Sequence, residues 1–201
     1  MINLMRRSCL LILLTFSAES AFSHGMSALF AGVDTIHCNN VSAVLGLTDS
    51  IVPLVVGDEL TSTFPATAAV ASMAGGGYTF AIGQEGFFTD PGIVNFDNLR
   101  FATNVIGWLD QQNRKRVMIV TNHDEWNGYG TTILRIRLAE LGYTVTLSLG
   151  VITAAKLQNV DVLFVGNLWG TIGEDEIAAI DQFHNSGGGL FLMGVGWSWL
   201  P

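Results

Sequence analysis

The stretch that decides the fold is RKRVMIVTNHDEWNGYGTTILRIRLAELGYTVTLSL, residues 114–149. It opens with charged residues that lead into a continuous β-branched and aliphatic run, which is typical of a strand buried on both faces. An amphipathic helical segment follows and closes at Gly142, and residues 143–149 then have the pattern of a second strand. Strand, helix and strand in this order predict a crossover unit that joins two parallel strands.

The same alternation continues on both sides of that unit. Downstream, the predicted elements are a short helix at 153–160, a strand at 161–167, a helix at 173–189 and a strand at 190–196. Upstream, they are a helix at 27–36, a strand at 51–60, a β-hairpin at 67–88 and a helix at 95–110 capped by Asn95 or Asp97. We expect an α/β fold in one domain over residues 24–201. It would be a doubly wound, mainly parallel, flavodoxin-like sheet with helices on both faces and an N-terminal β-hairpin.

The charge of the chain argues against one class of partner. Of its 201 residues, 49% are hydrophobic and 13% are charged, and the formal net charge is −8. The nine lysines and arginines are scattered, so a phosphate backbone would find no basic surface to follow. We expect no nucleic-acid partner.

Residues 1–23, MINLMRRSCLLILLTFSAESAFS, have the three-part pattern of a secretory signal peptide. Arg6 and Arg7 precede an apolar run of about eight residues, which is too short to span a bilayer, and small residues follow. We expect a secreted or periplasmic protein with no stable membrane insertion after cleavage. The mature chain would keep one cysteine, Cys38, which is either a buried thiol or bonded to a partner outside this chain.

Function is sought at the carboxyl ends of the predicted strands, where parallel α/β sheets hold their ligands. Four stretches follow strands at this edge: GQEGFF at 83–88, TNHDEWNGYG at 121–130, GNLWGTIGED at 166–175 and GVGWSWLP at 194–201.

The candidate catalytic residues are His123, Asp124, Glu125 and Glu85. A carboxylate beside an imidazole raises its basicity, so this set suits a general base or metal ligands. Consecutive side chains rarely converge on one point, however, and the alternative is that Asp124 caps the next helix while His123 bonds its own loop. We expect no metal and no cofactor.

The candidate binding residues are Gln84, Trp126, Trp169 and Trp197. Aromatic faces beside carboxylates and amides suit a glycan or glycoprotein ligand, although tryptophans at strand ends also pack in cores. A phosphate ligand is disfavoured, because the acidic residues 174–176 neutralise the helix N-terminus in the third stretch. The three glycines at 187–189 are expected to end a helix rather than to bind phosphate.

These stretches resemble class I glutamine-amidotransferase-like domains, of the kind found before M60-like, enhancin-type zinc peptidase modules and in TRPM8 channel-associated factors. The resemblance covers residues 28–200 and is carried by four runs. They are GGGYTFAIGQEGFF (75–88), NFDNLRFATNVIGWLD (95–110), RVMIVTNHDEWNGYG (116–130) and DVLFVGNLWGTIGEDEIAAIDQFHNSGGGLFLMGVGWSWL (161–200).

The resemblance implies a site without its nucleophile. True amidotransferases carry a cysteine on a turn after a central strand, whereas the corresponding turn here is Gly194-Val195-Gly196. Ser198 stands between two tryptophans with no base at a recognisable spacing. No HExxH motif occurs in the 201 residues, and we expect the domain to continue beyond Pro201 into the remainder of a longer protein.

The sequence therefore predicts a secreted, catalytically silent binding or accessory domain. It would form the N-terminal part of an M60-like peptidase-type protein that acts on glycoproteins or carbohydrates. The alternative is a hydrolase that uses His123 with Asp124, Glu125 or Glu85. A purely structural spacer is a third class.

Overall fold

The computed structural model describes residues 25–37, 50–56, 67–73, 75–83, 85–121, 130–148, 150–166 and 170–194. Within these ranges the strands are β1 Ile51–Val56, β2 Thr67–Ser72, β3 Thr79–Ile82, β4 Arg116–Ile119, β5 Thr144–Leu147, β6 Val162–Val165 and β7 Gly189–Met193. The helices are α1 Asn98–Leu109, α2 Thr132–Glu140, α3 Ala154–Leu157 and α4 Glu174–Asn185. Short 3₁₀ turns lie at Ala28–Phe30, Glu85–Phe87 and Gly92–Val94.

The strands form one seven-stranded sheet in the order β1-β2-β3-β7-β6-β4-β5. The first three strands pair antiparallel, and β3, β7, β6, β4 and β5 pair parallel. Parallel neighbours need a crossover, and the helices supply it. The predicted α/β class, the mostly parallel sheet and the antiparallel strand pair of the predicted hairpin are confirmed.

Helices cover both faces of the sheet because its central strands are apolar on both sides. β6 is buried along its whole length. Val162 and Phe164 belong to one apolar layer with α1 and α2, and Leu163 and Val165 belong to a second layer with α3 and α4. The crossovers through α1 and α2 run one way along the sheet, and those through α3 and α4 run back. Because crossovers between parallel strands are right-handed, helices that cross in opposite directions lie on opposite faces of the sheet.

Phenylalanines form the centre of the first layer. The ring centroid of Phe191 in β7 lies 4.5 Å from that of Phe164, 5.0 Å from that of Phe80 and 5.2 Å from that of Phe88. Phe101 of α1 completes the cluster, 5.8 Å from Phe80 and 5.9 Å from Phe88. Each such pair contributes about 0.5–1.5 kcal/mol beyond its buried area. The cluster therefore joins three strands to α1.

Glycine ends two helices, as the sequence predicts. After α4, Gly187 adopts φ +95°, and the amides of Gly187 and Gly188 donate to the carbonyls of His184 and Phe183 at 2.9 and 3.0 Å. These two bonds are the Schellman pattern, which satisfies the last carbonyls of a helix. Gly142, at φ +84°, lies at the equivalent position after α2.

Two predictions for the chain before α1 are wrong in detail. Residues 27–36 are not one helix, because the helical conformation ends at Phe30. Asp97 stands at the N-cap position of α1 but makes no side-chain cap. Its carboxylate instead accepts the amides of Thr35 and Asp34 at 3.0 and 2.9 Å, and these bonds lower the pKa of Asp97. The carboxylate that was expected to cap α1 therefore binds the loop at residues 34–35 instead.

Candidate functional site

The four stretches that carry the predicted site residues begin at the carboxyl edge of the sheet. β3, β7, β6 and β4 are consecutive neighbours, and Ala81, Leu192 and Val165 lie in register across the first three. Three strand spacings of about 4.8 Å put the outer two strand ends roughly 14 Å apart. The loops after these strands therefore begin side by side along one edge.

Only one of the predicted site residues lies in the described part of the chain. Glu85 begins the 3₁₀ turn Glu85–Phe87 directly beyond β3. The others lie outside the described residues: Gln84, His123, Asp124, Glu125, Trp126, Trp169 and Trp197. Residues 1–23, Cys38 and Ser198 lie outside them too, so the roles assigned to all of these stay predictions.

The loop after β4 starts from a fixed position. The hydroxyl of Thr121 donates to the carbonyl of Ser148 at 2.6 Å, and the amide of Ser148 donates to the carbonyl of Ile119 at 2.8 Å. These bonds tie the exit of β4 to the exit of β5. Thr121, the residue from which the stretch containing His123 continues, is therefore held by hydrogen bonds.

Asp90 caps α2, the helix that follows this stretch. Its carboxylate accepts the amides of Thr132 and Ile133 at 3.0 and 3.1 Å, and its own amide donates to the carbonyl of Gly130 at 2.7 Å. Asp90 therefore satisfies two of the free amides at the N-terminus of α2, whereas the capping role that one interpretation gave to Asp124 stays a prediction. Sequence reasoning missed Asp90 because 42 positions separate it from Thr132, and capping patterns in sequence are local.

Glu176 occupies the N-terminus of α4 in the same way. One carboxylate oxygen accepts the amide of Gly173 at 3.2 Å, and the other accepts the amide of Ile152 at 2.7 Å. The N-termini of α2 and α4 therefore already hold negative charge. A helix N-terminus filled by a carboxylate repels a phosphate, so this arrangement suits a neutral ligand better than an anion.

A cleft of about 230 Å³ lies at the opposite, amino edge of the sheet. Its walls are the loop after α1, α3 with the segment after it, and the second half of α4 with the turn after it. Sequence reasoning placed nothing here. The only sequence signal is a scatter of glutamines, and the fold alone brings them together.

A buried ion pair lies against this cleft. Asp161, whose side chain is 1% exposed, accepts from the Nε of Arg114 at 2.7 Å and from the Nε and Nη2 of Arg116 at 2.8 and 2.9 Å. Burial acts to raise the pKa of Asp161, but the hydrogen bonds from Arg116 and Arg114 outweigh it and hold the pKa below its usual range. The ionised carboxylate joins the starts of β4 and β6.

His184 of α4 is half-buried beside β3. Its Nε2 lies 2.7 Å from the hydroxyl of Thr79. Burial lowers the pKa of His184, and the charge of Asp181 partly offsets this effect. The neutral imidazole is therefore the form that the fold prefers.

Two classes of feature are absent from the described ranges. No three His, Cys, Asp or Glu side chains there lie close enough together to hold a metal ion. No helix in those ranges combines the length and apolar character that a bilayer crossing requires.

Comparison with known proteins gives similarity in structure only. No family model matches the sequence, and no curated protein is significantly similar to it. The IMPa metallopeptidase from Pseudomonas aeruginosa has a similar fold, with a TM-score of 0.51 and 17% identity over 73% of this chain and 16% of that chain.

Two complexes of IMPa give the same result. The structure with an O-glycopeptide, also from Pseudomonas aeruginosa, has a TM-score of 0.52 and 19% identity over 74% of this chain. The structure with T-antigen has a TM-score of 0.52 and 17% identity over 73% of this chain. At these identities the similarity shows a shared fold. The chain spans 16% of the length of IMPa, so it resembles one part of that protein.

Proposed function

We propose that this chain is a secreted, catalytically silent domain of the amidotransferase-like, doubly wound type, which binds glycans or glycoproteins as an accessory part of a metallopeptidase-type protein. The observation that carries the proposal is the fold that the chain shares with part of IMPa, whose structures hold an O-glycopeptide and T-antigen. The sequence resemblance to domains that precede M60-like peptidase modules is a second support for an accessory role in a metallopeptidase-type protein.

The carboxyl edge supports binding of a neutral ligand there. The loops that carry Trp126 and Trp169 leave neighbouring strands, β4 and β6. Asp90 and Glu176 fill the helix N-termini that would otherwise attract an anion. Tryptophan faces with polar neighbours bind the apolar side of a sugar ring while amides and carboxylates bond its hydroxyls.

The residues that follow β7 in the sequence support the proposed silent character. Gly194 is described there, and its amide donates to the carbonyl of Ile82 at 3.0 Å. True amidotransferases carry a cysteine on a turn after a central strand, but here the two residues after Gly194 are Val195 and Gly196. Neither has a side chain that can act as a nucleophile.

The test uses an O-glycopeptide that carries T-antigen and the same peptide without its sugar, each titrated into the full chain by calorimetry. We expect binding of the glycosylated form alone. Trp126→Ala and Trp169→Ala should each weaken it about tenfold or more, as for a truncated aromatic anchor. The matched control is Ile136→Ala, which removes a 56% exposed apolar side chain from α2 and should leave binding unchanged.

Two outcomes would overturn this function. Equal binding of the two peptides would exclude glycan recognition. Cleavage of either peptide, detected by mass spectrometry and abolished by His123→Ala, would establish the hydrolase instead. A general base contributes about 10²- to 10⁴-fold to a rate, so its loss would be easily measured.

Export is tested separately. Protein secreted from a native-like host should begin between Ala21 and Gly25 when its N-terminus is determined by mass spectrometry. An intact Met1 on the exported protein would contradict the secretory assignment.

A further inference from the structure

The cleft at the amino edge has the composition of a small binding site. Its floor is apolar and buried, with Leu157, Val160 and Ala179 each less than 10% exposed. The half-buried ring of Phe183 forms one side. A Cβ at Gly188 would collide with this ring, so the ring packs directly on the glycine backbone and is held in place.

The rim of the cleft is made of amides. Gln111, Gln112, Gln158 and Gln182 all line it, and all four are exposed. Gln111 donates to the carbonyl of Trp108. Within the described part of the chain, the side-chain amides of the other three have no hydrogen-bond partner, so they are available to a ligand.

The loop that carries two of these amides is fixed. The buried carboxylate of Asp110 accepts the amide of Lys115 at 3.0 Å and that of Arg114 at 3.3 Å. This bonding closes the loop around Gln111 and Gln112. Their side chains therefore start from a rigid backbone rather than from a loose connection.

The lining of the cleft contains one cationic and one anionic side chain. Arg114 is the one cation among the lining residues, and it is bonded to Asp161, which also lines the cleft. A ligand would therefore meet little net charge. An amide both donates and accepts hydrogen bonds, as a hydroxyl does, so an amide rim above an apolar floor matches a polyhydroxylated ring.

We propose that this cleft binds one neutral monosaccharide unit. Its volume of about 230 Å³ is below the roughly 300–1,000 Å³ of clefts that hold drug-sized molecules, which limits the ligand to a single ring. The apolar face of the ring lies over Phe183 and Leu157, and its hydroxyls bond Gln158 and Gln182. This site is separate from the carboxyl edge and does not depend on the function proposed for that edge.

The test is saturation-transfer difference NMR on the full chain with galactose, N-acetylgalactosamine, glucose and mannose. A titration of backbone amide shifts then gives the dissociation constant. We expect at least one sugar to bind with a constant of about 1 mM, a value usual for one small ring. Gln158→Ala and Gln182→Ala should each weaken binding roughly fivefold, the loss expected for one hydrogen bond.

Two substitutions on α3 provide a matched pair. Ala154 and Ala155 are both exposed, but only Ala154 lines the cleft. Ala154→Phe should fill the cleft and abolish binding, whereas Ala155→Phe should bind as the unsubstituted chain does. A thermal melt of each variant shows whether the fold is kept, and Gln158→Ala, at an exposed position, tests the site without adding bulk.

The proposal is overturned if no sugar binds up to about 50 mM, well above the expected constant, or if folded Ala154→Phe binds normally. It is also overturned if Trp126→Ala, rather than Ala154→Phe, abolishes sugar binding. That last result would place the sugar at the carboxyl edge and leave the function proposed for that edge standing.

Discussion

Replacement of the buried carboxylate by Asp161→Asn should destabilise the protein by about 2–3 kcal/mol. Removal of one partner of a fully buried ion pair costs about 3–5 kcal/mol. Here the side chains of Arg114 and Arg116 are 46% and 26% exposed, so water can solvate them after the change, and the cost falls to the lower end of that range or below it. The asparagine keeps one acceptor oxygen but turns an NH₂ group toward arginine donors.

The assay is urea denaturation at pH 7, followed by far-UV circular dichroism. The matched control is Glu140→Gln, which breaks the exposed ion pair with Arg137 at 2.8 Å and should cost about 0–1 kcal/mol. Equal losses in the two variants would refute the assigned role of Asp161.

A pH series tests the same carboxylate in a second way. The pKa of Asp161 is lowered in the folded state from a reference of 3.8. Its contribution is therefore complete above about pH 3.8 and is lost as the pH falls through the folded-state value. The stability gap between the unsubstituted chain and Asp161→Asn should narrow below pH 3.8. A gap that widens on acidification would contradict the reasoning.

Three further predictions follow from single contacts. Asp90→Ala should cost about 1 kcal/mol, as a lost helix cap does, and should raise hydrogen exchange in the first turn of α2; unchanged exchange there would contradict the capping role. Gly189→Ala should cost about 1–3 kcal/mol in urea denaturation, because a Cβ there would meet the end of α1 at 2.6 Å. Gly166→Ala is its control, since a Cβ at that position meets nothing within 4 Å. His184→Gln should reduce the loss of stability on acidification below about pH 6.5, because the lowered pKa of His184 makes its protonation unfavourable in the fold; an unchanged pH profile would argue against this.

The two edges of the sheet differ in the proposed binding features that they carry. The carboxyl edge carries the loops with tryptophans, and the amino edge carries the glutamine-rimmed cleft. Each edge therefore carries its own proposed sugar site. The variants at Trp126 and Ala154 test the two proposed sites separately, because each residue belongs to only one of them.

The candidate site was only partly accessible to sequence reasoning. The strand exits that carry the predicted residues could be recognised, because ligand crevices in parallel sheets lie after the strands. Asp90 acquires its role from a distant partner, Thr132. Glu176 lies where the sequence places it, at a helix N-terminus, but its bond to Ile152, 24 positions away, could not be predicted. A bond between residues so far apart leaves no local pattern in the sequence.

Apart from the helix expected at 27–36, the sequence by itself determined the main elements and the character of their faces. The all-apolar run of β6 required burial on both sides, and the glycines at 142 and 187 ended α2 and α4, because backbone preference and hydrophobic period act over a few residues. The tertiary structure alone decided which elements became neighbours. β7 lies between β3 and β6, Asp161 meets Arg116 across 45 positions, and glutamines from three segments surround one cleft. These contacts join elements that are far apart in the sequence. They are set by the packing of the whole chain and by the handedness of its crossovers, so no single stretch encodes them.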